Sequence, residues 1–137
     1  MSDQIQFELV SPERLLFSQP VEMVVVPGVE GDFGVLPGHA PLVSTVRPGV
    51  IAVFEGGKVV RSIFVAGGFA EVTGERCTVL AEQAVPVAEI DRTAADGELR
   101  DARDDLSEAK DDSERARLEL RIAAAEARIA ALDSSVY

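Results

Sequence analysis

The stretch Lys58-Val59-Val60-Arg61-Ser62-Ile63-Phe64-Val65-Ala66, followed by Gly67-Gly68, sets the terms for the fold. Successive residues of a strand point to opposite faces of a sheet. Here both faces are apolar, with Val59, Ile63 and Val65 on one and Val60 and Phe64 on the other. A sheet with two greasy faces needs a second cover, supplied either by a partner or by helices of the same chain.

The alternation continues on both sides of this stretch. In residues 4–10, Ile5, Phe7 and Leu9 share one face while Gln6 and Glu8 share the other. Val21, Met23 and Val25 repeat the pattern, as do Cys77, Val79 and Ala81. Turn signals stand between the runs: Pro27-Gly28, Pro37-Gly38, Pro48-Gly49, Glu55-Gly56-Gly57-Lys58, Gly67-Gly68 and Thr73-Gly74-Glu75. All seven prolines lie at or before Pro86, and ten of the eleven glycines at or before Gly74, so the punctuation of strands stops there. Short strands at this spacing predict an all-β sandwich or barrel over residues 1–86.

Residues 87–137 follow a helical grammar. Asp91 is a good N-cap, and Leu99, Ala102, Leu106 and Ala109 then recur at helical spacing. Asp111-Asp112-Ser113-Glu114 interrupts them, with Asp111 and Glu114 spaced as in a capping box. Leu118, Ile122, Ala125, Ile129 and Leu132 form a second seam. The two runs predict an antiparallel helical hairpin whose many alanines allow close approach. Its large aliphatics are few (Leu99, Leu106, Leu118, Leu120, Ile122, Ile129 and Leu132), and Gly97 costs its first helix about 1 kcal/mol relative to Ala. The hairpin is therefore expected to depend on docking and to be able to move. Residues 96–114 carry nine acids against three bases, a net of −6, and residues 115–128 four bases against two acids, a net of +2. This pattern reads either as a solvated face or as a basic last helix able to meet an acidic partner.

Bulk properties exclude several functions. The 137-residue chain has a net charge of −11 and a pI near 4.4, so no nucleic-acid partner is expected, because phosphate binding relies on clustered Lys and Arg. The single cysteine, Cys77, rules out an intramolecular disulfide and reads as an inert core thiol. Met1-Ser2-Asp3-Gln4-Ile5-Gln6 has neither a basic region nor an apolar core, so no secretory signal is expected. The longest apolar runs, such as Val50-Ile51-Ala52-Val53-Phe54, fall far short of the ~18 residues that span a bilayer, so direct membrane insertion is not expected. With one histidine, His39, and one cysteine, no metal site is expected. His39 reads as a hydrogen-bonding loop residue or an interface contact; the alternative is a small ligand-binding or hydrolytic sandwich using it. No Gly-x-Ser-x-Gly elbow accompanies it. Gly57-Lys58 is followed by Val59 and preceded five places earlier by Ala52, so the P-loop pattern is absent. No catalytic residue and no cofactor site emerges.

The stretch Glu30-Gly31-Asp32-Phe33-Gly34-Val35-Leu36-Pro37-Gly38-His39-Ala40-Pro41-Leu42 is similar to the most recognisable motif of the epsilon subunits of bacterial F-type ATP synthases. Phe7-Glu8-Leu9-Val10-Ser11-Pro12-Glu13, Arg47-Pro48-Gly49, Gly67-Gly68-Phe69-Ala70-Glu71-Val72 and Thr78-Val79-Leu80-Ala81 stand around it in the family's order. The resemblance covers most of residues 4–95. It implies a β-sandwich of about ten strands followed by a helical hairpin, in a non-catalytic rotor subunit of the central stalk. The implied partners are the gamma subunit and the membrane's c-ring, whose polar loops would face Glu30, Asp32 and His39. Such a subunit helps transmit torque between proton flow and the catalytic head, at the cytoplasmic face of the bacterial inner membrane. In some members the hairpin extends along gamma and blocks ATP hydrolysis, its basic residues reaching the catalytic beta subunit; Arg115, Arg121 and Arg128 are the candidates here. Some members also bind ATP through Ile or Leu, Asp, two variable residues, then Arg and Ala. Here Ile90 and Asp91 are followed by Ala94 at the Arg position, and Arg92 is displaced by about 200° around a helix, so ATP sensing is not expected.

Overall fold

A computed structural model describes residues 4–133; Met1-Ser2-Asp3 and Ser134-Ser135-Val136-Tyr137, the end of the expected hairpin, lie outside the described residues. In chain order the strands are β1 (Ile5–Val10), β2 (Leu15–Val21), β3 (Met23–Gly28), β4 (Gly31–Val35), β5 (Leu42–Thr45), β6 (Gly49–Glu55), β7 (Lys58–Val72) and β8 (Arg76–Pro86). A single helical turn, Val87–Glu89, leads to α1 (Arg92–Ser107) and α2 (Asp112–Asp133).

The two longest strands each belong to two sheets. The first part of β7 pairs with β6, from Lys58↔Glu55 to Val65↔Gly49. Its last residues pair instead with β5, from Phe69↔Thr45 to Val72↔Leu42. Beside it, β8 pairs with the parallel strand β1 only through residues 76–80, while it stays antiparallel to β7 along almost its whole length. One layer thus runs β2-β1-β8-β7-β5 and the other β8-β7-β6-β3-β4. Eight strands among the described residues supply ten strand segments, because β7 and β8 are each used twice.

Gly67-Gly68, a turn signal in the sequence, is no turn: β7 continues straight through it. The glycines are needed for the crossing itself. Gly68 has φ +100°, and a Cβ there would lie 1.8 Å from the Leu80 carbonyl oxygen. At this corner the inward face changes parity. Ile63 and Val65 point into the core before it, and Ala70 and Val72 after it. Pro27-Gly28 likewise belongs to the end of β3, with the turn following at Val29-Glu30.

The core between the layers holds Ile5, Phe7 and Leu9 of β1, Val24 and Val26 of β3, Ile51 and Val53 of β6, and Cys77 and Val79 of β8. Outside the second layer, Phe64 and Ala66 pack under Ala124 of α2, with Val85, Val87, Ile90 and Ala127 around them. The second cover that the two-faced stretch requires is therefore the hairpin. Its helices begin where their caps predict: Asp91 accepts the Ala94 N–H at 3.1 Å, and Asp111 accepts the Glu114 N–H at 2.7 Å. Ala102, Leu118 and Ala125 are buried between α1 and α2. Leu120, counted with the seam aliphatics, instead points outward and is 69% exposed.

The Gly68 crossing has a measurable consequence. Gly68→Ala forces Cβ against a backbone carbonyl in a conformation that L side chains rarely adopt. Denaturant unfolding should show a loss of about 3 kcal/mol or more.

Candidate functional site

The two outer faces of the sandwich differ sharply. Behind the hairpin, Val25, Val50, Ala52, Phe64 and Ala66 are all buried. The outer face of the first layer is open. A single register row crosses it: Leu15 opposite Val10, Val10 opposite Leu80, Leu80 opposite Phe69, and Phe69 opposite Thr45. Leu15 is 56% exposed, Phe69 45% and Leu80 38%, with Val43 nearby at 67%. The next row carries Glu8, Thr78 and Glu71. The Glu8 carboxylate accepts from Arg76 at 2.7 Å and from the Thr78 hydroxyl at 3.4 Å. An exposed apolar row with an ordered polar margin marks a surface made for a partner.

The structure brings Glu30 and Asp32 together and sets His39 apart. Glu30 stands in the turn between β3 and β4, and Asp32 is the second residue of β4. His39 follows the far end of β4, roughly 15 Å of strand away. Its segment is held by the Gly38 N–H to the Gly74 carbonyl at 2.7 Å and by the His39 N–H to the Leu36 carbonyl at 3.1 Å. The imidazole Nδ1 lies 2.7 Å from the Ala40 carbonyl, so Nδ1 is the protonated nitrogen. Among the described residues no serine or carboxylate is hydrogen-bonded to the ring.

Two of the three candidate hairpin arginines are occupied. Arg121 donates to Glu98 at 2.7 Å and lies 3.5 Å from Asp105. The Glu98 hydrogen bond is the main cause of its guanidinium being held still more firmly in the charged form. Arg128 turns towards the sandwich, bonding the Gln83 side chain and lying 5.2 Å from the centre of the Phe64 ring. Arg115 makes no side-chain hydrogen bond or ion pair among the described residues and is exposed. The three arginines therefore do not form one basic patch.

No catalytic or metal-holding constellation exists among the described residues. Cys77 is fully buried, and desolvation pushes its thiol up to about 12, which keeps it unreactive. The groove at the start of α1 is lined by Glu89, Asp91 and Glu98, with Ala94 where a cation would be needed and Arg128 already engaged. Three carboxylates there do not fit a nucleotide triphosphate. Arg92 is directed elsewhere, paired with Asp133.

A family profile described as ATP synthase, delta/epsilon chain, beta-sandwich domain matches residues 4–87. A curated ATP synthase epsilon chain of Rhodospirillum rubrum is 65% identical over 100 residues, spanning 73% of this chain and 75% of that protein. That of Paramagnetospirillum magneticum is 64% identical over 96 residues, spanning 70% and 72%. The chain belongs to the epsilon chains of bacterial F-type ATP synthases. Among solved structures, a chain of the Euglena gracilis mitochondrial ATP synthase superposes with a TM-score of 0.81 and 32% identity, covering 96% of this chain and 83% of that one. A chain from the Tetrahymena thermophila enzyme gives 0.65 at 12% identity, covering 93% and 96%, which speaks for the fold alone.

For an epsilon chain, the surfaces that sequence reasoning missed are the informative ones. Phe69 and Leu80 sit within quoted family motifs, but the parity change at Gly67-Gly68 hides which face they take. In the sequence Arg47 stands out only within the motif Arg47-Pro48-Gly49; its role at the Glu30 tip appears when β3, β4 and the β5–β6 connection meet in space.

The buried thiol gives this epsilon chain a testable alkaline signature. In the unfolded chain Cys77 ionises near pH ~8.5, whereas the folded chain keeps its proton up to about 12. Above the lower value the unfolded state binds fewer protons, so its contribution to stability falls by about 1.4 kcal/mol per pH unit. Denaturant midpoints measured below and above this range should lose that component in Cys77→Ala.

Proposed function

We propose that the chain acts as a non-catalytic rotor subunit in the central stalk of a bacterial F-type ATP synthase, docked to gamma through the open face of its first sheet. The observation that carries this is the row Leu15, Val10, Leu80 and Phe69, exposed at all but the half-buried Val10, on the one sandwich face that no other part of the described chain covers. The 32% identical Euglena gracilis chain belongs to an assembly of OSCP, F1 and c-ring, which supports the same setting for this chain. The tip bearing Val29 and Glu30 is the surface offered to the polar loops of the c-ring. Together the two contacts make the subunit a strut between gamma and the ring, so that rotation driven by proton flow reaches the catalytic head. No helix of the described residues is long and apolar enough to cross a membrane. Attachment therefore runs through these partners, on the cytoplasmic side.

The sandwich, residues 1–86, and the hairpin, residues 87–137, act as separate domains in this reading, and the hairpin regulates ATP hydrolysis. Its grip on the sandwich is narrow, centred on Ala124 against Phe64 and Ala66 and on Arg128 against Gln83. Arg115 and Arg117 are the basic residues of α2 already presented outward for an acidic segment of the beta subunit.

Phe69→Glu should weaken association with gamma about thirtyfold or more in a co-purification titration. It should leave the melting temperature nearly unchanged, because the ring lies outside the core. Retained binding would remove the docking face. Truncation after Ala88 should raise ATP hydrolysis by the reconstituted enzyme, and unchanged hydrolysis would remove the regulatory role.

A further inference from the structure

We infer that Arg47 is a positioning residue that sets the stance of the Glu30 tip, and that it makes the separate motifs Glu30-Gly31-Asp32 and Arg47-Pro48-Gly49 a single mechanical unit. This rests on the proposal that the tip meets the c-ring.

The tip is a two-residue turn, Val29-Glu30, between β3 and the start of the edge strand β4. Left to itself, a turn at a sheet edge is loosely held. Here the β5–β6 connection grips it from one side. The Val29 N–H donates to the Thr45 carbonyl at 3.0 Å, Gly28 bridges Val46, and the Arg47 N–H donates to the Pro27 carbonyl at 2.9 Å. The Arg47 side chain then closes the arrangement. Nη1 donates to the Gly28 carbonyl at 2.6 Å and Nη2 to Asp32 Oδ1 at 2.5 Å. One planar guanidinium thus ties the residue before the turn to the second residue of β4. A lysine ammonium, a point donor on a flexible stem, cannot hold that geometry as firmly. Close approach of the connection is built in: a Cβ on Gly49 would lie 2.8 Å from Pro27 Cβ.

Two features separate this role from ordinary fold maintenance. The Arg47 side chain is 40% exposed, and neither of its acceptors belongs to the hydrophobic core. The ion pair also decides what the tip presents. It neutralises Asp32, while Glu30 has no hydrogen bond or ion pair among the described residues. The tip therefore offers one unpaired carboxylate beside the exposed Val29, held at a defined angle.

The test is made on the full chain and on the reconstituted, membrane-bound enzyme. In Arg47→Met, amide hydrogen exchange at Val29 should rise about tenfold while exchange in the core strands stays unchanged. Association with gamma should be unchanged, and ATP-driven proton pumping per ATP hydrolysed should fall at least about twofold. Arg47→Lys should recover part of both losses. Asp32→Asn, which removes the charge and keeps the shape, should move both readouts the same way by less, and it serves if Arg47→Met does not fold. Unchanged Val29 exchange in both variants overturns the inference. So does faster exchange with full pumping when Glu30→Arg impairs pumping, because the tip would then work without its brace. If Glu30→Arg also pumps fully, the tip's contact with the ring falls, and the inference falls with it.

Discussion

One close approach governs this molecule: the passage of Gly68 beneath the Leu80 carbonyl, where a Cβ would come within 1.8 Å. It lets β7 leave one layer and enter the other without ending, and β8 follows it in unbroken antiparallel register. Because the inward parity changes there, Ile63 and Val65 serve the core from one layer, and Ala70 and Val72 from the other. The same twist sends Phe64 and Phe69 to different outer surfaces. Phe64 goes under the hairpin, and Phe69 goes to the open face.

The division of surfaces follows from that crossing. The sandwich has a continuous core that draws on both layers. The hairpin meets it from outside, with Ala124 against Phe64 and Ala66. Burial of a ring such as Phe64 is worth about 2–3 kcal/mol, a modest anchor for two helices. The polar contact between Arg128 and the Gln83 side chain adds little, because it is exposed and screened.

The acidic composition takes on meaning in the same frame. Residues 96–114 carry a net of −6, and Arg121 is drawn into that stretch through Glu98 and Asp105. Part of the contrast with residues 115–128, at +2, is therefore spent inside the hairpin, while Arg115 and Arg117 stay exposed. At the tip the opposite holds, because the Arg47–Asp32 pair cancels locally and leaves Glu30 exposed. What a charged residue offers a partner depends on what its own chain has already given it.

Local chemistry carried much of the fold. Alternation in residues 4–10 and 77–81, the caps at Asp91 and Asp111, and the seams through Ala102 and Ala125 all depend on neighbours within a few residues, so the sequence by itself determined the strand body, the helical hairpin and their order. The family motifs likewise identify the chain without coordinates. Gly67-Gly68 misled because a glycine pair signals a turn and a close crossing alike, and only the strand lying against it tells them apart. Leu120 misled because a helix of alanines has several apolar stripes, and the partner helix selects one. The grouping of Glu30 with Asp32 and Arg47, the separation of His39, and the open row through Leu80 and Phe69 were decided by tertiary structure alone. Each depends on residues far apart in the chain that meet only when the layers close, and no local rule of spacing carries that information.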